Sequence, residues 1–143
     1  MSAGPNVLIV DDEPDVVTYL GAILEAGGFA VHTADNTRDG LKLAEKYRPD
    51  LICLDIMMPK ESGLSMYTKL RAHKDLADVP VIIISGIETE QEFSFRQLVN
   101  DNSIPPPEAF FEKPINVAEF EKTVRLLVAP GNRRPRHKRN STL

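Results

Sequence analysis

Short apolar runs alternate along the chain with stretches in which apolar residues return every three or four positions. Asn6-Val7-Leu8-Ile9-Val10 runs into Asp11-Asp12-Glu13-Pro14, which predicts a buried strand, a turn, and a helix whose first turn accepts Pro14. In that helix Val16, Leu20, Ile23 and Leu24 fall at i, i+4, i+7 and i+8, one face for packing on a sheet, and Gly27-Gly28 supplies the stop. Phe29 to Thr33 predicts a second strand. Asn36 or Thr37 can cap a helix over Arg38 to Tyr47 with Leu41 and Ala44 inward, and Pro49 closes it. Leu51 to Leu54 predicts a third strand, buried on both faces; Gly63 to about His73 a helix carrying Leu64, Tyr67 and Leu70; and Pro80 to Ser85 a fourth strand. Glu88 to Val99 predicts a weaker helix and Ala109 to Glu112 a short fifth strand. Asn116 caps a last helix with Val117, Phe120, Val124 and Leu127 on one face, stopped by Pro130-Gly131.

Five strands alternating with five helices predict an α/β fold, a doubly wound parallel sheet with right-handed crossovers. No internal repeat interrupts the alternation. The one irregular segment is Asp101-Asn102-Ser103-Ile104-Pro105-Pro106-Pro107, which reads as a stiff polyproline-like linker before the fifth strand. At 143 residues the chain suits one domain, expected over residues 1–128, with a flexible tail over 129–143.

Charge sharpens that boundary. The tail holds Arg133, Arg134, Arg136, Lys138 and Arg139 and no acid, whereas residues 1–128 hold 12 bases against 21 acids, a formal charge of −9. An acidic body argues against a nucleic-acid-binding domain and suits a cation site. Five bases in the tail read as a solvated end rather than a nucleic-acid or membrane contact. No apolar run approaches the roughly 18 residues of a membrane span, and Met1-Ser2-Ala3-Gly4-Pro5 carries no basic segment leading into a signal core, so a cytoplasmic protein is expected. Cys53, the single cysteine, sits inside the third strand and reads as a small buried hydrophobe. His32, His73 and His137 show no metal-ligand spacing and are assigned no role.

All strands of such a sheet point the same way, so residues at their carboxyl ends meet along one edge. Those residues are Asp11 and Asp12, then Asp55, then Ser85 with Gly86, then Lys113 with Pro114. Each alone has a plain reading: Asp12 a helix cap, Ser85 a strand-end hydroxyl, Lys113 a solvated charge. Together they are complementary. Three carboxylates roughly 5 Å apart repel by about 3 kcal/mol per pair at an effective dielectric near 20, and such a cluster calls for a divalent cation or raised pKa values. Oxygen ligands with room for water suit Mg²⁺. A carboxylate-held cation beside a hydroxyl, a small residue and a lysine is an arrangement for phosphoryl transfer, with a carboxylate as nucleophile.

Four segments in this order carry a resemblance: Val10-Asp11-Asp12-Glu13-Pro14; Leu54-Asp55-Ile56-Met57-Met58-Pro59 with Gly63; Ile84-Ser85-Gly86; and Phe110-Phe111-Glu112-Lys113-Pro114. Over about residues 6 to 128 the chain resembles the receiver (CheY-like) domains of two-component response regulators. The resemblance implies a flavodoxin-like strand order 2-1-3-4-5 and an Asp55 phosphorylated by a sensor histidine kinase or a histidine phosphotransfer protein. It implies that Asp11, Asp12, Asp55 and the main-chain carbonyl of Met57 arrange Mg²⁺. Ser85 and Lys113 would bind phosphoryl oxygens, Gly86 would leave them access, and the Lys113-Pro114 bond would be cis.

Two departures from the family pattern stand out. Phe110 occupies a position that is frequently tyrosine, so a coupling through a phenol hydroxyl is absent and a switch by packing is expected. The interval from Ser85 to Lys113 is several residues long for the family, with the extra length in Asn100 to Pro107. The expected output is a change in protein contacts, with a downstream target or a second copy, through the face made by the Glu88–Val99 helix, the fifth strand and the last helix. After Leu127 about 16 residues remain, too few for an output domain; a fragment of a larger regulator is the variant of this reading. Two alternatives belong to other classes. A phosphorylation-independent module of receiver shape is the main alternative; such modules usually lose pocket residues, and none is lost here. A Mg²⁺-dependent phosphohydrolase of the haloacid-dehalogenase kind would need a second acid where Met57 stands.

Overall fold

The chain folds around a five-stranded sheet, all parallel, in the order β2-β1-β3-β4-β5. The strands are β1 (Asn6–Val10), β2 (Ala30–Ala34), β3 (Leu51–Asp55), β4 (Val81–Ser85) and β5 (Ala109–Glu112). The helices are α1 (Pro14–Ala26), α2 (Thr37–Tyr47), α3 (Gly63–Ala72) and α4 (Val117–Val128). This computed structural model describes residues 4–56, 58, 63–86 and 104–129. The helix predicted over Glu88 to Val99, Met57 and nearly all of the basic tail lie outside the described residues.

Each strand sends alternate side chains to opposite faces, and both faces are apolar. From β1, Leu8 and Val10 join Ile52, Leu54 and Ile83 in one layer, closed by Ala44 of α2 and by Met66, Tyr67 and Leu70 of α3. Val7 and Ile9 join Leu51, Cys53, Ile82 and Ile84 in the other, closed by Leu20 and Leu24 of α1 and by Phe120 and Val124 of α4. Cys53 is fully buried there, and burial pushes its thiol up to about 12, so it is inert filling.

Local chemistry sets the ends of the elements. Asn36 Oδ1 accepts from the Asp39 amide at 2.8 Å to cap α2, and Asn116 Oδ1 accepts from the Glu119 amide at 2.9 Å to cap α4. Two glycines permit close approaches: a Cβ at Gly40 would lie 2.8 Å from Val10 Cγ2, and one at Gly63 only 2.6 Å from the Asp55 carbonyl oxygen.

A polar clasp fastens α3 to the chain entering β5. Arg71, its side chain 3% exposed, donates from Nη2 to Glu108 Oε1 at 3.0 Å, from Nη1 to the carbonyls of Val79 at 2.8 Å and Ala77 at 3.2 Å, and from Nε to Tyr67 Oη at 2.9 Å. The Tyr67 hydroxyl in turn donates to the carbonyl of Pro105, inside the long proline segment.

Candidate functional site at the carboxyl edge of the sheet

The register brings the candidate residues together. Val10 pairs with Leu54, so Asp11 and Asp55, one step beyond, are neighbours at the edge. Asp12 follows, and one carboxylate oxygen from each of the three lies within 4.8 Å of the others. Asp11 and Asp55 are 1% and 2% exposed, and Asp12 is half-buried. The ladder continues at the tips: the Asp11 amide donates to the Ala34 carbonyl, the Ile56 amide to Ile84, and the Lys113 amide to Ser85 at 2.8 Å. Ser85 is buried at the end of β4 with Gly86 half-buried after it, and the cis Lys113–Pro114 bond turns the chain out of β5.

Lys113 supplies the cation. Its Nζ lies 3.3 Å from Asp11 Oδ2, 3.7 Å from Asp55 Oδ2 and 2.5 Å from Glu13 Oε1. Burial works to lower the pKa of this ammonium, but the Glu13 hydrogen bond and the charges of Asp55 and Asp11 outweigh it and hold the pKa above its ordinary value of 10.5. Glu13 is a partner that the sequence did not assign. The one local signal was a third acid directly after Asp11-Asp12.

Phe110 lies opposite Ile83 and packs, half-buried, against the layer that α2 and α3 close. Its neighbour Phe111 belongs to the other layer, edge-on to Phe120 at 5.7 Å between ring centres. Phe110 is therefore next to the site in the sheet without being part of the charged cluster.

Asp11 Oδ1 accepts from the Glu13 amide at 2.9 Å, whereas Oδ2 is buried with no hydrogen bond of good geometry. Burial raises the Asp11 pKa above its ordinary 3.8, against the lowering exerted by the Glu13 amide, the Lys113 ammonium and Asp55. The donor set fits a hard divalent cation: clustered carboxylates, a buried Asp11 oxygen that accepts no hydrogen bond of good geometry and has the Lys113 ammonium near it, and no cysteine or histidine in the group. A carboxyl that binds its proton more tightly folded than unfolded costs stability once it ionises. Without a divalent cation, Asp11 should thus subtract stability as pH rises from about 3.8 through its higher folded value. Asp11→Asn is expected to raise the stability of the metal-free protein by about 1–3 kcal/mol at neutral pH and to blunt any stabilisation by added Mg²⁺. Thermal melts with chelator and with Mg²⁺ check this; a variant less stable than the parent in chelator would refute it.

The response regulator receiver domain family matches residues 7–125. The chain belongs to that family. It is 32% identical to Protein PilH of Pseudomonas aeruginosa over 126 residues, 87% of this chain and 98% of PilH. It is 30% identical to RpaA of Synechocystis sp., a DNA-binding dual master transcriptional regulator, over 97% of this chain but 55% of RpaA. The chain thus spans about half of RpaA, and it spans 35% of each of two other transcriptional regulators that it matches. The chemotaxis protein CheY4 of Vibrio cholerae superposes with a TM-score of 0.72 at 25% identity, over 85% of this chain and 96% of CheY4. The receiver fold and the strand order expected from the sequence are those observed. Among the described residues, no helix of this receiver domain is long and apolar enough to cross a membrane.

Proposed function

We propose that this receiver domain is a phosphoacceptor switch, cytoplasmic, with its body over residues 1–128. Asp55 would take a phosphoryl group from a phosphohistidine of a sensor histidine kinase or a histidine phosphotransfer protein. The observation that carries this reading is the setting of Asp55: a buried carboxylate at a strand tip, with Asp11 and Asp12 within 4.8 Å and the Lys113 ammonium 3.7 Å away. In the transfer, an Asp55 carboxylate oxygen forms a bond to phosphorus, the bond from phosphorus to the donor breaks, and the donor leaves with the electron pair. Mg²⁺ held by Asp11, Asp12, Asp55 and the Met57 carbonyl would neutralise charge on the phosphoryl oxygens. The chain's own contribution is position and charge: Lys113 and the Ser85 hydroxyl receive the transferred oxygens, and Gly86 leaves the approach open. The domain acts as a switch, at most catalysing its own phosphorylation and dephosphorylation, and not as an enzyme with a separate substrate to turn over.

Intact-mass measurement after incubation with acetyl phosphate tests this. A gain of one phosphoryl group that requires Mg²⁺ is the expected result. Absence of any gain, together with no binding of beryllofluoride in Mg²⁺, would instead favour an interaction module that does not use its pocket.

Output would pass through protein contacts, to a downstream target or a second copy. Phosphorylation would draw Ser85 inward, and Phe110, its ring in the layer closed by α3, would shift into the space released. Phe110→Ala should keep the Mg²⁺-dependent mass gain while losing the phosphorylation-dependent change in partner binding or dimerisation. An unaltered change in that variant, measured by sedimentation or pull-down with and without beryllofluoride, would sink the packing switch.

A further inference from the structure

Lys113 is shared unevenly among its three carboxylates. Its closest partner is the one outside the acidic cluster: Glu13 at 2.5 Å, against 3.3 Å for Asp11 and 3.7 Å for Asp55. Glu13 sits at the N-cap of α1 but makes no side-chain capping bond, and its side chain is 57% exposed. Among the described residues, nothing other than Lys113 engages its carboxylate. An ammonium drawn to an exposed acid at the rim is not centred on the position that a phosphoryl group on Asp55 would take.

We propose that Glu13 is the resting-state counterion of Lys113 and that it must release the ammonium before the lysine can meet a phosphoryl oxygen. Glu13 is then a positioning residue that sets how readily the site takes up a phosphoryl donor. This rests on the reading of Asp55 as the acceptor. An exposed ion pair is worth a factor of roughly 1.5 to 5 in an equilibrium constant, so release is an affordable step and its removal has an effect of that size. The exposure of Glu13 makes release easy, since water solvates the freed carboxylate. Lys113, by contrast, keeps Asp11 and Asp55 as partners at the buried end.

The test uses Glu13→Gln, Glu13→Asp and, as control, Glu25→Gln, an exposed acid at the far end of α1. Two readouts are taken: the initial rate of Mg²⁺-dependent phosphorylation by acetyl phosphate, and the labelling of Lys113 by an amine-acylating reagent in the metal-free protein. In the phosphorylation step the P–O bond to acetate breaks and acetate leaves as Asp55 bonds to phosphorus. Both Glu13 variants are expected to phosphorylate about two to five times faster than the parent and to label more heavily at Lys113, because glutamine removes the charge and aspartate removes the reach. The control should match the parent in both. Rates and labelling unchanged in both variants would overturn the proposal. So would a fast Glu13→Gln beside a parent-like Glu13→Asp, which would make net charge, not capture, the cause. If the parent neither takes a phosphoryl group nor binds beryllofluoride in Mg²⁺, the phosphoacceptor reading fails by itself, and the labelling comparison still decides whether Glu13 holds Lys113.

Discussion

Replacing Asp55 by asparagine is expected to abolish phosphoryl uptake while leaving the fold standing. The amide has nearly the shape of the carboxylate, so the strand tip and the 2%-exposed site it occupies are kept. What is lost is the charged oxygen proposed to attack phosphorus, and losing a nucleophile costs at least about a thousandfold in rate. Asp11 and Asp12 are not expected to take over: both follow β1, two strands away from Ser85 at the end of β4, whereas Asp55 ends β3, the strand paired with β4. Stability should rise slightly, since one of three mutually repelling carboxylates is gone. Intact mass after acetyl phosphate and Mg²⁺ gives the answer directly. A full phosphoryl gain on Asp55→Asn would move the acceptor to another residue and with it the reading of the pocket.

The largest loss of stability is expected at a residue far from the chemistry. Arg71→Ala would remove the guanidinium that joins α3, the carbonyls of Ala77 and Val79, the Tyr67 hydroxyl and Glu108. Glu108 would keep its bond from the Val81 amide at 2.7 Å but lose its counter-charge in a setting only 16% exposed. Breaking a buried pair by removing one partner costs about 3–5 kcal/mol, and orphaned carbonyls add to it. For a chain of this length that is a fall of roughly 6–20 °C in Tm. Arg71→Lys should recover only part, because an ammonium cannot span four acceptors in the plane of a guanidinium. Urea melts of the two variants check the claim; a loss below about 1 kcal/mol for Arg71→Ala would mean that water replaces the clasp at little cost.

The sheet was readable because its strands are continuous apolar runs bounded by Asp, Gly and Pro, and the carboxyl-edge cluster followed from parallel topology alone. Deviations at the ends have local causes. β2 begins at Ala30, not Phe29, because the Phe29 amide is taken by the Leu24 carbonyl at the close of α1. β4 begins at Val81, since Pro80 has no amide to donate, although its carbonyl still accepts from Ile52. α2 starts one residue early because Asn36, the more N-terminal of its two candidate caps, is the one that bonds. Val117, placed by spacing on the inner face of the last helix, stays 38% exposed at its first turn. The Arg71 clasp left no trace in the sequence pattern, and the Glu13–Lys113 contact left only a third acid after Asp11-Asp12. Their partners lie 37 and 100 residues apart, and a surface-type charge gives no periodic signal of where it will end.

The row of amide bonds at Asp11, Ile56 and Lys113 means that the pocket is spaced by the backbone ladder, about 4.8 Å from strand to strand, and not by the fit of the side chains beneath it. Volume-conserving changes in either apolar layer are therefore expected to leave the attachment points of the candidate groups nearly in place. The site is built like a set of fittings on a rigid rail, and under the proposed switch the layers would determine which neighbouring surface hears of a charge arriving there.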